Sequence, residues 1–210
     1  MATDERYTEH TTWAQLREGN ARYMAGTSAA DMRRGANRRA ELVGSQAPSA
    51  LVFGCSDSRV PVEILFDQGL GDLFVVRTAG HVIDGAVLGS IEYAVEILGV
   101  PLIVVMGHDG CGAVAAAMAM VDEGKVPPGS IRDVVEHIAP DIVRARFAGD
   151  RTFEGAVEQH ARYSVELLRE RSALVDGAVR AGRLTVVPAW YSLRTGQVAE
   201  ALPLPALLAA

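Results

Sequence analysis

Four short apolar runs, rich in β-branched residues, constrain this chain most: SALVFGC (49–55), DLFVVRT (72–78), PLIVVMGH (101–108) and LTVVPAWYSL (184–193). None shows the strict polar alternation of a strand with one wet face, so they predict strands buried on both faces of a parallel sheet. Parallel neighbours need a crossover. Residues 85–100 supply one, with Leu88, Ile91, Val95 and Leu98 recurring at helical spacing. A further helix is expected near Ser58, with Ser58 as N-cap and Pro61 in the first turn, where a missing N–H costs nothing. Another follows Gly112 through AVAAAMAM, and 131–181 reads as mostly helical, broken near Gly149. Segments 9–25 and 31–44 also read as helices, but they have no sheet of their own. They pack on this domain or reach a second subunit. The fold class is α/β: an open, mainly parallel β-sheet flanked by helices.

At 210 residues the chain suits one medium domain. A net charge of −6 supplies no basic field for phosphate backbones, so no nucleic-acid partner is expected. The first residues, MATDERYTEHTTW, lack the apolar core of a secretory signal. No run of about 18 apolar residues occurs, so no membrane span is expected. With only two cysteines there is no disulfide scaffold, and a cytoplasmic location with reduced thiols is expected.

Ligands of open parallel sheets bind at the carboxyl ends of the strands. Cys55 ends the first run. His108 ends the third, and Cys111 follows it in the glycine-flanked turn GHDGCG. These three should therefore meet at one edge of the sheet. Zinc takes thiolate and imidazole tetrahedrally, and a catalytic zinc keeps three protein ligands and an open fourth position. The rival readings are buried free cysteines and a disulfide or redox pair; the placement of two cysteines and a histidine at strand ends beside glycines weighs against the first, and the intervening histidine and a reducing compartment against the second. His10, His81, His137 and His160 have no partner at ligand spacing and read as surface or structural, with His81 the one that could approach the site. Met118 and Met120 read as core, and the charged residues of 154–171 as a solvated helix face.

CSDSRVP (55–61), FDQGLGDLFVVRTAG (66–80), GSIEYAVEILGV (89–100) and GHDGCGAV (107–114) together resemble the β-class carbonic anhydrases. Weaker matches are WAQLREGNARYMAG (13–26) and LTVVPAWYSLRTGQV (184–198). The resemblance implies one zinc per subunit on Cys55, His108 and Cys111, with Asp57 and Arg59 as a catalytic dyad. It further implies a substrate pocket of Gln46, Phe74, Tyr93 and Gly112, the aromatics often coming from a neighbouring subunit. It implies a homodimer that can pair into a homotetramer, with the N-terminal helices packing on the partner. Residues 1–45 would then be a helical arm, 46–200 the zinc core and 201–210 an apolar tail. The chain departs from the family pattern at His81, where Asn is frequent, and at Pro188-Ala189-Trp190-Tyr191-Ser192. Val52 stands where some members carry the Trp of a bicarbonate regulatory pocket, so that regulation is not expected.

The implied activity is reversible CO₂ hydration by zinc-activated water. Two thiolates neutralise the dication, so its water should be less acidic than one held by three imidazoles, and activity should rise toward alkaline pH. Asp57 could itself fill the fourth zinc position unless Arg59 holds it away, which defines a shut and an open state. Alternative functions are hydrolysis of a CO₂ analogue such as CS₂ or COS on the same scaffold, or a non-catalytic zinc or redox sensor.

Overall fold

A computed structural model describes residues 9–29 and 33–201. The expected tail beyond Ala201 lies outside the described residues. Among the described residues, five strands form one sheet in the order β2-β1-β3-β4-β5: β1 Ala50–Cys55, β2 Leu73–Thr78, β3 Leu102–His108, β4 Thr185–Tyr191 and β5 Val198–Glu200. The first four are mutually parallel, and β5 closes one edge antiparallel to β4. Every residue of β1 and β3 is buried, which explains their unbroken apolar sequence. Successive side chains point to opposite faces. Leu51, Phe53, Ile103 and Val105 therefore join one core cluster, while Ala50, Val52, Leu102, Val104 and Met106 join another. A third cluster surrounds Cys55 and Cys111 and includes Val114, Ile138 and Ile142.

The crossover helix α4 (Gly85–Glu96) starts where the Asp84 carboxylate accepts the Val87 N–H at 2.8 Å, and it buries Ile91 and Val95 on the first cluster. Helix α5 (Gly112–Glu123) lies over α6 (Ile131–Phe147), with α7 (Phe153–Arg171) and α8 (Ala173–Arg180) following. The chain breaks near Gly149 as expected, and again at Ser172, whose hydroxyl caps α8 by accepting the Val175 N–H. Met118 and Met120 are half-buried against the third cluster rather than fully in the core.

Two expectations are corrected. Ser58 caps no helix: α3 spans only Val62–Leu65 with Pro61 as its N-cap. Residues 57–60 instead form a turn in which the Asp57 carboxylate accepts the Arg59 N–H and the Val60 N–H bonds to the Asp57 carbonyl. The second arm helix is short, α2 Ala36–Glu41, with no buried residue. Arg33, Arg34 and Arg38 tie this part of the arm to backbone carbonyls of Asp67, Gln68 and Leu70. The first arm helix, α1 (Glu9–Ala25), docks on its own chain's sheet. Leu16 is buried there and Trp13 meets Phe66 edge-on. A Cβ on Gly19 would fall 1.9 Å from the Phe66 carbonyl oxygen, so only glycine permits this approach. No described helix is long and apolar enough to cross a membrane.

Candidate metal centre

Strands β1 and β3 are neighbours, so their carboxyl ends deliver Cys55 and His108 side by side. Gly110, with φ +64°, lets the chain turn sharply after β3 and return Cys111 at the start of α5. The ligand atoms of Cys55, His108 and Cys111 all lie within 4.8 Å of one another, and all three residues are buried. No disulfide joins Cys55 and Cys111.

The donor set fits a metal. His108 Nδ1 lies 2.8 Å from the Asp109 carbonyl oxygen. A carbonyl only accepts, so the hydrogen sits on Nδ1 and the lone pair on Nε2. That Nε2 is buried and has no hydrogen-bond partner. A buried acceptor facing two thiols is costly unless a cation completes it. Soft sulfur with imidazole nitrogen suits zinc.

The two thiols compete for one proton. Cys55 is held down to about 4, first by the Cys111 thiol that donates to it, against burial, and further by His108 and the Gly80 N–H at 3.3 Å. Cys111 is pushed up by that same Cys55 thiolate and by burial, while the Val114 and Ala113 N–H groups at the start of α5 pull it down. Burial opposes the His108 cation, yet the Cys55 sulfur and the Asp109 carbonyl together raise its pKa above the ordinary imidazole value.

Asp57 faces Arg59 in a two-pronged pair: Arg59 Nε donates to Oδ1 at 3.0 Å and Nη2 to Oδ2 at 2.8 Å. These bonds hold the carboxyl well below the usual carboxylate range. The same Asp57 Oδ2 lies 4.0 Å from His108 Nε2, so the carboxylate borders the metal position while its oxygens remain on Arg59. Arg77, a residue sequence reading missed, braces the loop from β2 by donating to the carbonyls of Cys55 (2.8 Å) and Asp57 (2.5 Å). Its signal was a lone charge closing an apolar strand.

Gly112 follows Cys111 directly, and open space lies where its side chain would be. Gln46 is exposed in the loop before β1. Phe74 on β2 packs on the first core cluster and meets Tyr93 of α4 at 6.3 Å between ring centres. Among the described residues, no hydrogen bond or ring contact joins Gln46, Phe74 or Tyr93 to the metal set. His81, read above as surface or structural, is buried in the turn after β2 with φ +43° and both ring nitrogens unpartnered. His160 is also buried, and both its nitrogens are bonded. His137 is exposed and bonds the Asp133 carbonyl; the His10 side chain lies outside the described residues.

A carbonic anhydrase family profile matches residues 50–198. A carbonic anhydrase of Mycolicibacterium smegmatis is 53% identical over 89% of this chain and 90% of its own length. Carbonic anhydrase 2 of Mycobacterium tuberculosis (H37Rv) is 49% identical over 88% of this chain and 89% of its own. Among solved structures, the Coccomyxa β-carbonic anhydrase in complex with acetazolamide is 28% identical with a TM-score of 0.69, covering 88% of this chain and 84% of that one. Two tetrameric β-carbonic anhydrases from Sordaria macrospora share the fold, with a TM-score of 0.69 at 24% identity over 91% of this chain and 97% of that one. The profile spans the strands that carry the buried Cys–His–Cys set, and the relatives extend over nearly the whole length: the chain belongs to the carbonic anhydrases, in their β class.

Proposed function

We propose that this chain catalyses the reversible hydration of CO₂ to bicarbonate and a proton, using one zinc ion held by Cys55, His108 and Cys111. The observation that carries the reading is the unpartnered His108 Nε2 beside two free thiols, with Asp57 drawn aside by Arg59. Bound there, zinc supplies the Lewis acidity that makes water a nucleophile near neutral pH. Asp57, ionised throughout the working range, accepts a hydrogen bond from that water and orients it. Arg59 fixes the carboxylate in this role, and the bare Cα of Gly112 leaves room for a small substrate. Gln46, Phe74 and Tyr93 belong to the proposed pocket as residues completed by a second copy of the chain. A homodimer, able to pair into a tetramer, is the proposed assembly, and the cytoplasm the proposed location.

Metal content together with stopped-flow CO₂ hydration tests the proposal. The purified protein should carry one zinc per chain and show a rate that rises toward alkaline pH. Cys111→Ser should lose both metal and rate. A zinc-free protein, a flat pH profile or an active Cys111→Ser variant each contradicts it.

A further inference from the structure

Behind the metal-facing side chains lies a second buried cluster that the proposed reaction does not use. His160 of α7 is 3% exposed. Its Nδ1 lies 2.7 Å from Asp141 Oδ2 on α6, and its Nε2 lies 2.7 Å from the Gly80 carbonyl oxygen. The carbonyl only accepts, so Nε2 donates, and Nδ1 shares its proton with the Asp141 carboxylate. The ring is thereby fixed from both ends. It is also fixed on its face: the His81 ring lies 4.1 Å away, tilted by 30°, with Phe53 edge-on to His81. The other Asp141 oxygen is 3.8 Å from Arg144, whose guanidinium covers the Tyr163 ring.

Gly80 transmits this order to the metal centre. Its N–H donates to the Cys55 sulfur at 3.3 Å, while His160 grips its carbonyl. Its φ of +62° is left-handed, and a Cβ there would meet Ile138 Cδ1 at 2.6 Å and Ala113 Cβ at 2.8 Å. The residue is clamped, so its N–H and C=O directions are set together.

We infer that His160, oriented by Asp141, is a positioning residue of the metal centre, holding the Gly80 N–H on the Cys55 sulfur. The inference rests on the metal reading above. An N–H on a thiolate withdraws charge from the sulfur, so the sulfur neutralises the metal less and the metal's water is more acidic. Releasing the Gly80 carbonyl loosens the 80–81 peptide and, through the Gly80 Cα, the 79–80 peptide whose N–H faces the sulfur; as that N–H turns away the sulfur donates more charge and the acidity of the water falls.

The test uses cobalt(II)-substituted protein, whose thiolate-to-cobalt charge-transfer band reports sulfur charge, together with the pH profile of kcat for the zinc enzyme. His160→Met removes both donors at similar bulk. His160→Gln keeps an N–H able to reach the Gly80 carbonyl. Asp141→Asn weakens the orienting bond with the same shape. In His160→Met the band should move to lower energy and the alkaline midpoint of kcat should rise with KM unchanged. Its kcat at neutral pH should fall about tenfold, recovering at high pH. His160→Gln should restore most of both shifts, and Asp141→Asn should fall between. If His160→Met does not fold, Asp141→Asn decides by the same readouts. An unmoved band and midpoint in His160→Met, or in Asp141→Asn where His160→Met does not fold, overturns the inference alone, whatever happens to the melting temperatures. A parent protein that takes up no cobalt overturns the metal reading and this inference with it.

Discussion

The Asp57 carboxylate has two cations to choose between, a guanidinium and the proposed metal, and in this structure it takes the guanidinium through two side-chain bonds and one backbone bond. Removing that partner in Arg59→Ala leaves an anion whose Oδ2 already lies 4.0 Å from the metal-facing nitrogen. The carboxylate should then occupy the fourth metal position, with zinc retained and CO₂ hydration reduced by about two orders of magnitude. Stopped-flow rates beside metal analysis check this, and a zinc-loaded variant of undiminished rate contradicts it. His81 makes a different prediction. Burial, then the fields of His160 and His108, keep its ring neutral to well below the ordinary imidazole value of 6.5. The unfolded chain therefore takes up a proton near pH 6.5 that the folded chain refuses. This group costs stability as pH falls below that value, with a limiting slope of ~1.4 kcal/mol per pH unit. His81→Asn should flatten that slope, because Asn does not titrate and tolerates left-handed φ. Urea midpoints at pH 7 and pH 5 measure it; equal losses in parent and variant would show that another group titrates.

At the scale of elements, α1 depends on one side chain. Asn20 donates to the carbonyls of Leu65 (3.0 Å) and Gly196 (2.8 Å) and accepts the Val198 N–H (2.8 Å), joining α1, α3 and β5. Asn20→Leu fills the volume but strands three backbone groups, two buried and one part-buried, each worth about 1 kcal/mol. A loss of about 3 kcal/mol by urea unfolding is expected, and a loss under ~1 kcal/mol would mean that water replaces the amide. None of this was legible in the sequence, because α1 has few apolar residues and its flush contact at Gly19 leaves no pattern. Strands β1 and β3 were legible, since burial on both faces forces unbroken apolar runs. The start of α3 was misplaced because the Asp57–Arg59 pairing claims the turn where a cap was expected. β5 escaped notice because three residues carry no period. The Cys55–His108–Cys111 cluster was legible because each member sits in a short motif. The link from His160 to Gly80 was not, because it spans 80 positions and neither residue carries a local signature.

At the scale of the whole molecule, the position of the site follows from the strand order. From β1 the chain moves to β2 on one side, and from β3 it moves to β4 on the other, so the crevice opens between β1 and β3. Cys55 and His108 end those two strands, and Cys111 begins α5, which leaves the same crevice. A metal bound there ties three separately folded segments, and its binding free energy is folding free energy. At a thousandfold excess over Kd a ligand adds ~4 kcal/mol to stability. For a chain of this size that corresponds to roughly 10 °C in melting temperature. Stripping zinc with a chelator should therefore lower the melting temperature by about that amount, with zinc restoring it. The gap should narrow as pH falls, because the metal must displace the proton that the Cys55 thiolate keeps on Cys111. Calorimetry of loaded and stripped protein at two pH values reads both effects. A stripped protein that melts with the loaded one at every pH would mean that the three side chains do not share an ion.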